Sequence, residues 1–162
     1  MRPKRFSGLI AAAMAGAALC AAAVPAQARD LPVGGLTVAE VQSWLQTAGY
    51  AAKVETNSDG TQDIASSSDG ANFHVFFYDC KNKRCASMQF SAGFDTKGAF
   101  NATKMNQWDV DKRWTRAYAD KVNDPWLEYD VDLAPGGTFE GLDDQFGIWR
   151  QSLGEFRKYI GW

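Results

Sequence analysis

The chain has 162 residues, with 17 basic residues against 19 acidic ones, a formal net charge of −2, and 46% hydrophobic residues. That length fits one domain with a real core, and the mild acidity argues against nucleic acid or anionic lipid as the main partner. Six Trp and ten Phe supply large apolar side chains, so a disordered chain is excluded as well.

The first residues read as an export signal. Arg2, Lys4 and Arg5 form a basic opening, an uncharged Ala- and Leu-rich run follows from Phe6 to Val24, and Ala26-Gln27-Ala28 offers small residues at the two positions read by signal peptidase. Cleavage is expected after Ala28, so residues 1–28 would be removed and no membrane anchor would remain. Cys20 raises the lipoprotein alternative, but Ala17-Ala18-Leu19 before it lacks the lipobox order. The signal carries three of the 17 basic residues and no acidic one, which leaves 14 against 19, or −5, beyond it. Residues 29–36 read as a linker and residues 37–162 as the domain, with the periplasm as the expected compartment.

Helical spacing begins at Thr37, which makes a capping-box pattern with Glu40. Val38, Val41, Leu45 and Ala48 then fall on one stripe until Gly49. The period changes to two beyond it. Short strands are predicted at 52–56 and 61–66 around the turn Ser58-Asp59-Gly60, and Ser68-Asp69-Gly70 makes the next turn. The run Phe73 to Tyr78 is apolar at nearly every position, which predicts a central strand covered on both sides, and Ala86 to Phe94 returns beside it as the last strand of a four-stranded meander. Cys80 and Cys85 flank the polar segment Lys81-Asn82-Lys83-Arg84, and in an oxidising compartment they are expected to form a disulfide across that hairpin. The spacing is not a redox C-x-x-C, and two Cys with the one His do not complete a zinc site.

A helix is predicted over 99–108 and a hairpin from Arg113–Ala119 and Trp126–Leu133 around Asn123-Asp124-Pro125. In the second strand Leu127, Tyr129, Val131 and Leu133 alternate with Glu128, Asp130 and Asp132, giving one buried and one wet face. After Pro135-Gly136-Gly137, Thr138 opens a final helix in which Phe139, Leu142, Phe146, Trp149, Leu153, Phe156 and Ile160 recur at steps of three and four. These side chains are expected in the core.

Catalytic motifs are missing from the sequence: there is no G-x-S-x-G, no H-E-x-x-H and no phosphate-binding loop. His74 lies in the most apolar strand and reads as a structural histidine with one satisfied nitrogen. The acids at 109, 111, 128, 130, 132, 143 and 144 follow no glycosidase or Ca2+ pattern and read as solvent-facing carboxylates. No catalytic residue, metal or cofactor is therefore expected. A competing expectation is a hydrolase or small-ligand pocket in which Asp109, Asp130 or Asp132 converge with Arg113 or Arg116.

From Thr37 onward the chain resembles the YbjN-domain family of bacterial sensory transduction regulators, whose fold is like that of type III secretion chaperones. Asn106-Gln107-Trp108-Asp109 is close to the family's N-x-W-N, with Asp109 in place of the usual Asn. Lys112-Arg113-Trp114 and Ala117-Tyr118 follow its next strand, Gly136-Gly137-Thr138 matches its G-G-[VT] break, and Trp149, Leu153 and Phe156 match its last helix. The resemblance implies an α+β domain with about three helices packed on an antiparallel sheet, acting by binding a protein partner, with a homodimer as a further expectation. It implies that Asn106 satisfies backbone groups where the second helix ends, that Trp108 anchors that end, that Arg113 pairs with Asp130 or Asp132, and that Gly136 and Gly137 take backbone angles forbidden to other residues. The signal and the Cys80 and Cys85 pair set the chain apart as an exported branch.

Overall fold

The computed structural model describes residues 28–162. The expected signal, with Ala26 and Cys20, lies outside the described residues apart from Ala28, which is exposed and irregular. Among the described residues no helix is long and apolar enough to cross a membrane.

Helix α1 (Val38–Thr47) starts on the expected capping box. Thr37 Oγ1 accepts a hydrogen bond from Glu40 N at 3.2 Å, and the Glu40 carboxylate accepts one from Thr37 N at 2.8 Å. Its inward side chains are Val41, Trp44 and Leu45. Strands β1 (Ala52–Thr56), β2 (Gln62–Ser68), β3 (Ala71–Lys81) and β4 (Arg84–Gly93) follow as an antiparallel meander. Helix α2 (Ala102–Asp111) leads to β5 (Arg116–Ala119) and β6 (Pro125–Asp132), and α3 (Phe139–Ile160) closes the fold. β6 pairs with β4, so the six-stranded sheet runs β1-β2-β3-β4-β6-β5 with every pair antiparallel. The fold is α+β, as expected.

One buried cluster unites the helices with one face of the sheet. Trp149 of α3 stacks on Phe90 of β4 at 5.6 Å and meets Phe73 of β3 edge-on at 5.7 Å. Trp44 of α1 packs edge-on against Phe146, and Trp108 of α2 against Phe156. The periodic stripe of α3 is buried from Leu142 to Ile160, with Phe139 half-buried at its start. Thr138 caps that helix through Gly141 N, and Gly161 ends it in the left-handed region at φ +73°.

Four expectations need correction. The helix expected over 99–108 runs three residues later, because Asp124 Oδ1 holds Thr96 N at 2.8 Å and Gly98 N at 3.2 Å, and Asn101 then supplies the cap by accepting from Lys104 N. The strand expected from Arg113 accordingly begins at Arg116. Residues 29–36 are not a free linker: Leu31 N donates to Gly137 O at 2.8 Å, Phe139 N to Arg29 O at 2.8 Å, and Leu36 bridges Cys85, with Leu31 and Leu36 both buried. The strand from Phe73 to Tyr78 is covered on one side only. Phe73 and Val75 are in the core, whereas His74 and Phe76 are half-buried and Tyr78 is exposed.

The β3–β4 hairpin turns on Asn82 and Lys83, both at positive φ, as a two-residue loop between paired strands requires. Cys80 and Cys85 are register partners there and are joined by a disulfide.

Candidate functional site

The uncovered face of the sheet is built by alternation. With Val75, Phe90, Tyr129 and Leu127 turned to the helices, the register places His74, Phe76 and Tyr78 of β3 on the opposite side. Gln89 and Ser91 of β4, Glu128 and Asp130 of β6, and Arg116 and Tyr118 of β5 join them there.

These residues form a connected polar surface. Glu128, only 9% exposed, accepts hydrogen bonds from Arg116 Nη2 and, at 3.0 Å, from Tyr118 Oη. Burial together with the bond to Glu128 and its charge pushes the Tyr118 hydroxyl up to about 12. The bond to Glu128 likewise raises Arg116. Next to this group Gln89 Nε2 donates to Asp130 Oδ1 at 2.8 Å, and Tyr78 Oη donates to Gln89 Oε1 at 3.3 Å. Burial, then the Glu128 and Asp130 charges, raise the Tyr78 hydroxyl too. Both phenols therefore stay protonated near neutral pH and serve as hydrogen-bond donors. At the edge Tyr118 lies parallel to the Trp126 indole at 6.3 Å, and Trp126 sits over Gly93, where a Cβ would come within 2.6 Å of the ring. Aromatic rings with fixed polar groups between them suit recognition of a polypeptide surface.

Of the residues singled out from sequence, Asp130 and Arg116 lie on this face, and most of the others do not. Trp108 is buried, with its indole N–H donating to Thr115 Oγ1 at 3.2 Å, and it anchors α2 as expected. Asn106 stands exposed in the middle of α2 rather than at its end. Asp109 Oδ1 accepts from Ala117 N at 2.8 Å and so ties the helix to the start of β5. Arg113 does not pair with Asp130 or Asp132; its guanidinium lies over the Trp114 ring at 4.5 Å, and Arg116 makes the pairing with β6 through Glu128. Gly136 and Gly137 adopt φ of +153° and +143°, in the region that favours glycine. Because Asp109 holds backbone while Asp130 sits on the open face and Asp132 is exposed, the expected convergence of these acids into one pocket is overturned.

Gln89 and Tyr78 were not singled out from sequence, and Arg116, Tyr118 and Glu128 were named only in the competing pocket, in the family match and as a solvent-facing acid, never together. The alternation of β6 was the available signal, since it places Glu128 opposite Arg116 once β5 is paired with it. His74 has one nitrogen satisfied, with Nδ1 2.7 Å from Asp63 Oδ2.

The family model for YbjN, described as "Putative bacterial sensory transduction regulator", matches residues 37–162. No curated protein matches the chain. Among solved structures it is similar to the type III secretion chaperone SycH of Yersinia pestis, determined in complex with a stable fragment of YscM2. The identity is 13% and the TM-score 0.46, over 72% of this chain and 96% of that one.

Proposed function

The chain belongs to the YbjN family, and on that premise we propose that it is a non-enzymatic, exported interaction module that binds a protein partner through the uncovered face of its sheet. The observation that carries this reading is that face itself, where Tyr78, Tyr118 and Trp126 present aromatic surface around an ordered set of polar groups. Interfaces are enriched in such aromatic residues, and Arg beside them adds directional hydrogen bonding. Asp130 and Asp132 stand exposed beside them, which favours a partner with a basic segment. The basic opening, apolar run and Ala26-Gln27-Ala28 support delivery to the periplasm. Self-association belongs to the same reading, with β1 and β5 as the free edges of the sheet.

Affinity capture from periplasmic extract tests the reading when the protein is compared with Tyr78→Ala and Asp130→Lys variants of unchanged melting temperature. A partner retained by the original and lost by both variants is the expected result. Equal retention by all three would refute the use of this face. Fractionation should find the product in the periplasm with Arg29 at its N-terminus, and retention of residues 1–28 would contradict export. Light scattering from micromolar to millimolar concentration checks the dimer, which a monomer throughout would remove.

A further inference from the structure

We propose that Glu55, Asp63 and His74 form a binding site for a divalent transition-metal cation of the zinc class. The site rests on its own geometry and not on the partner-binding reading. Its three donors come from β1, β2 and β3, and their ligand atoms lie within 4.8 Å of one another. The register explains why. Glu55 is the direct cross-strand partner of Asp63, and His74 pairs with Ala65, two residues along β2 on the same face. No sequence spacing announces the set, because two hairpins separate its members.

Two carboxylates placed directly opposite each other repel, so the arrangement calls for positive charge between them. Lys53 bonds Glu55 at 2.7 Å from the rim, but its side chain is 78% exposed and such a pair contributes little. Asp63 is only 3% exposed, although it lies on the face of the sheet that no helix covers. Asn57 Nδ2 donates to its Oδ1 at 3.0 Å, and His74 Nδ1 lies 2.7 Å from Oδ2, so the carboxylate is aimed before any ion arrives. The His74 ring is in turn stacked on Phe76, with centroids 5.8 Å apart and planes 12° from parallel.

One imidazole with two carboxylates is a ligand set for zinc and its neighbours; calcium and magnesium take oxygen donors alone. A cation entering here replaces the hydrogen bond between His74 and Asp63 with one bond to Nδ1 and one to Oδ2, and the coordinated imidazole carries its proton on Nε2. Tetrahedral zinc with bonds of about 2.0 to 2.1 Å needs those two atoms roughly 3.3 Å apart, a small widening between side chains. The His74 side chain is 44% exposed, which gives an ion a route in and leaves room for water as a further ligand.

Calorimetric titration of the purified protein with zinc chloride should show one site of micromolar affinity, with no comparable heat from magnesium chloride. His74→Ala and Glu55→Gln should each weaken it by about tenfold or more. His74 is the single histidine of the chain, so its ring proton resonances can be followed without ambiguity, and they should shift with the first equivalent of zinc. Ring resonances unmoved at saturating zinc would place the ion elsewhere, and the proposal would fail even if the His74→Ala protein did not fold. The absence of heat up to millimolar zinc would overturn it equally.

Discussion

Replacing Trp149 by alanine removes the largest fully buried side chain of α3. The side chain is 0% exposed, stacked on Phe90 and set edge-on to Phe73. Truncating a buried Trp costs about 3 to 5 kcal/mol through lost burial and the cavity left behind. In a domain of this size 1 kcal/mol moves the melting temperature by about 3 to 5 °C, so a fall of roughly 10 to 25 °C is expected, or no folded protein if the starting stability is at the low end of about 5 to 15 kcal/mol. Trp149→Phe separates two contributions. Phenylalanine keeps a ring against Phe90 and removes an indole N–H that has no partner among the described residues, so it should cost less than half as much. Calorimetry and near-ultraviolet circular dichroism on both variants provide the measurement. A Trp149→Ala shift below about 2 °C would refute the core assignment, since only an exposed side chain leaves no cavity.

Gly93→Ala puts a methyl group where the Trp126 indole lies, 2.6 Å away, and should displace that ring from Tyr118 at a cost of about 1 to 3 kcal/mol, visible as a change in tryptophan fluorescence. Burial tends to raise the Glu40 carboxyl, but the bonds from Thr37 and Arg84 outweigh it and hold it below its usual 4.5. A lowered carboxyl stabilises the fold above its unfolded value and loses that contribution as pH falls through the folded one. The stability difference between the protein and its Glu40→Gln variant should therefore be constant well above pH 4.5 and shrink as the pH falls through and below it, and a difference independent of pH would contradict the bonds from Thr37 and Arg84. Reducing the Cys80–Cys85 bond opens a loop of sequence separation 5 and should cost about 2 kcal/mol while leaving the fold intact, as followed by urea denaturation with and without reductant.

The parts legible in the sequence were those fixed by local periodicity. The stripe from Leu142 to Ile160 and the alternation of Leu127, Tyr129, Val131 and Leu133 each point at one face, and both faces are buried as read. Where long-range contacts decided, sequence reasoning slipped. The start of α2 depends on Asp124 capturing Thr96 and Gly98 from more than 25 residues away, and no local pattern marks it. Leu31 and Leu36 look isolated among Gly and Pro but are the anchors that strap residues 29–36 to the domain. A run as apolar as Phe73 to Tyr78 reads as covered twice, yet Phe76 and Tyr78 are left on the open face because all three helices share the other. The polar surface was hidden for a related reason. Glu128 looked like one more wet acid until the pairing of β5 with β6 set Arg116 beside it.

Site-specific photo-cross-linking in cells tests the central claim most directly. A photoreactive phenylalanine analogue at Tyr78 or Tyr118 samples the open face, and the same analogue at Gln151, exposed on α3, samples the helical side. One discrete protein adduct is expected from positions 78 and 118 and none from 151. An adduct from position 151 alone, or none from either tyrosine, would contradict the claim.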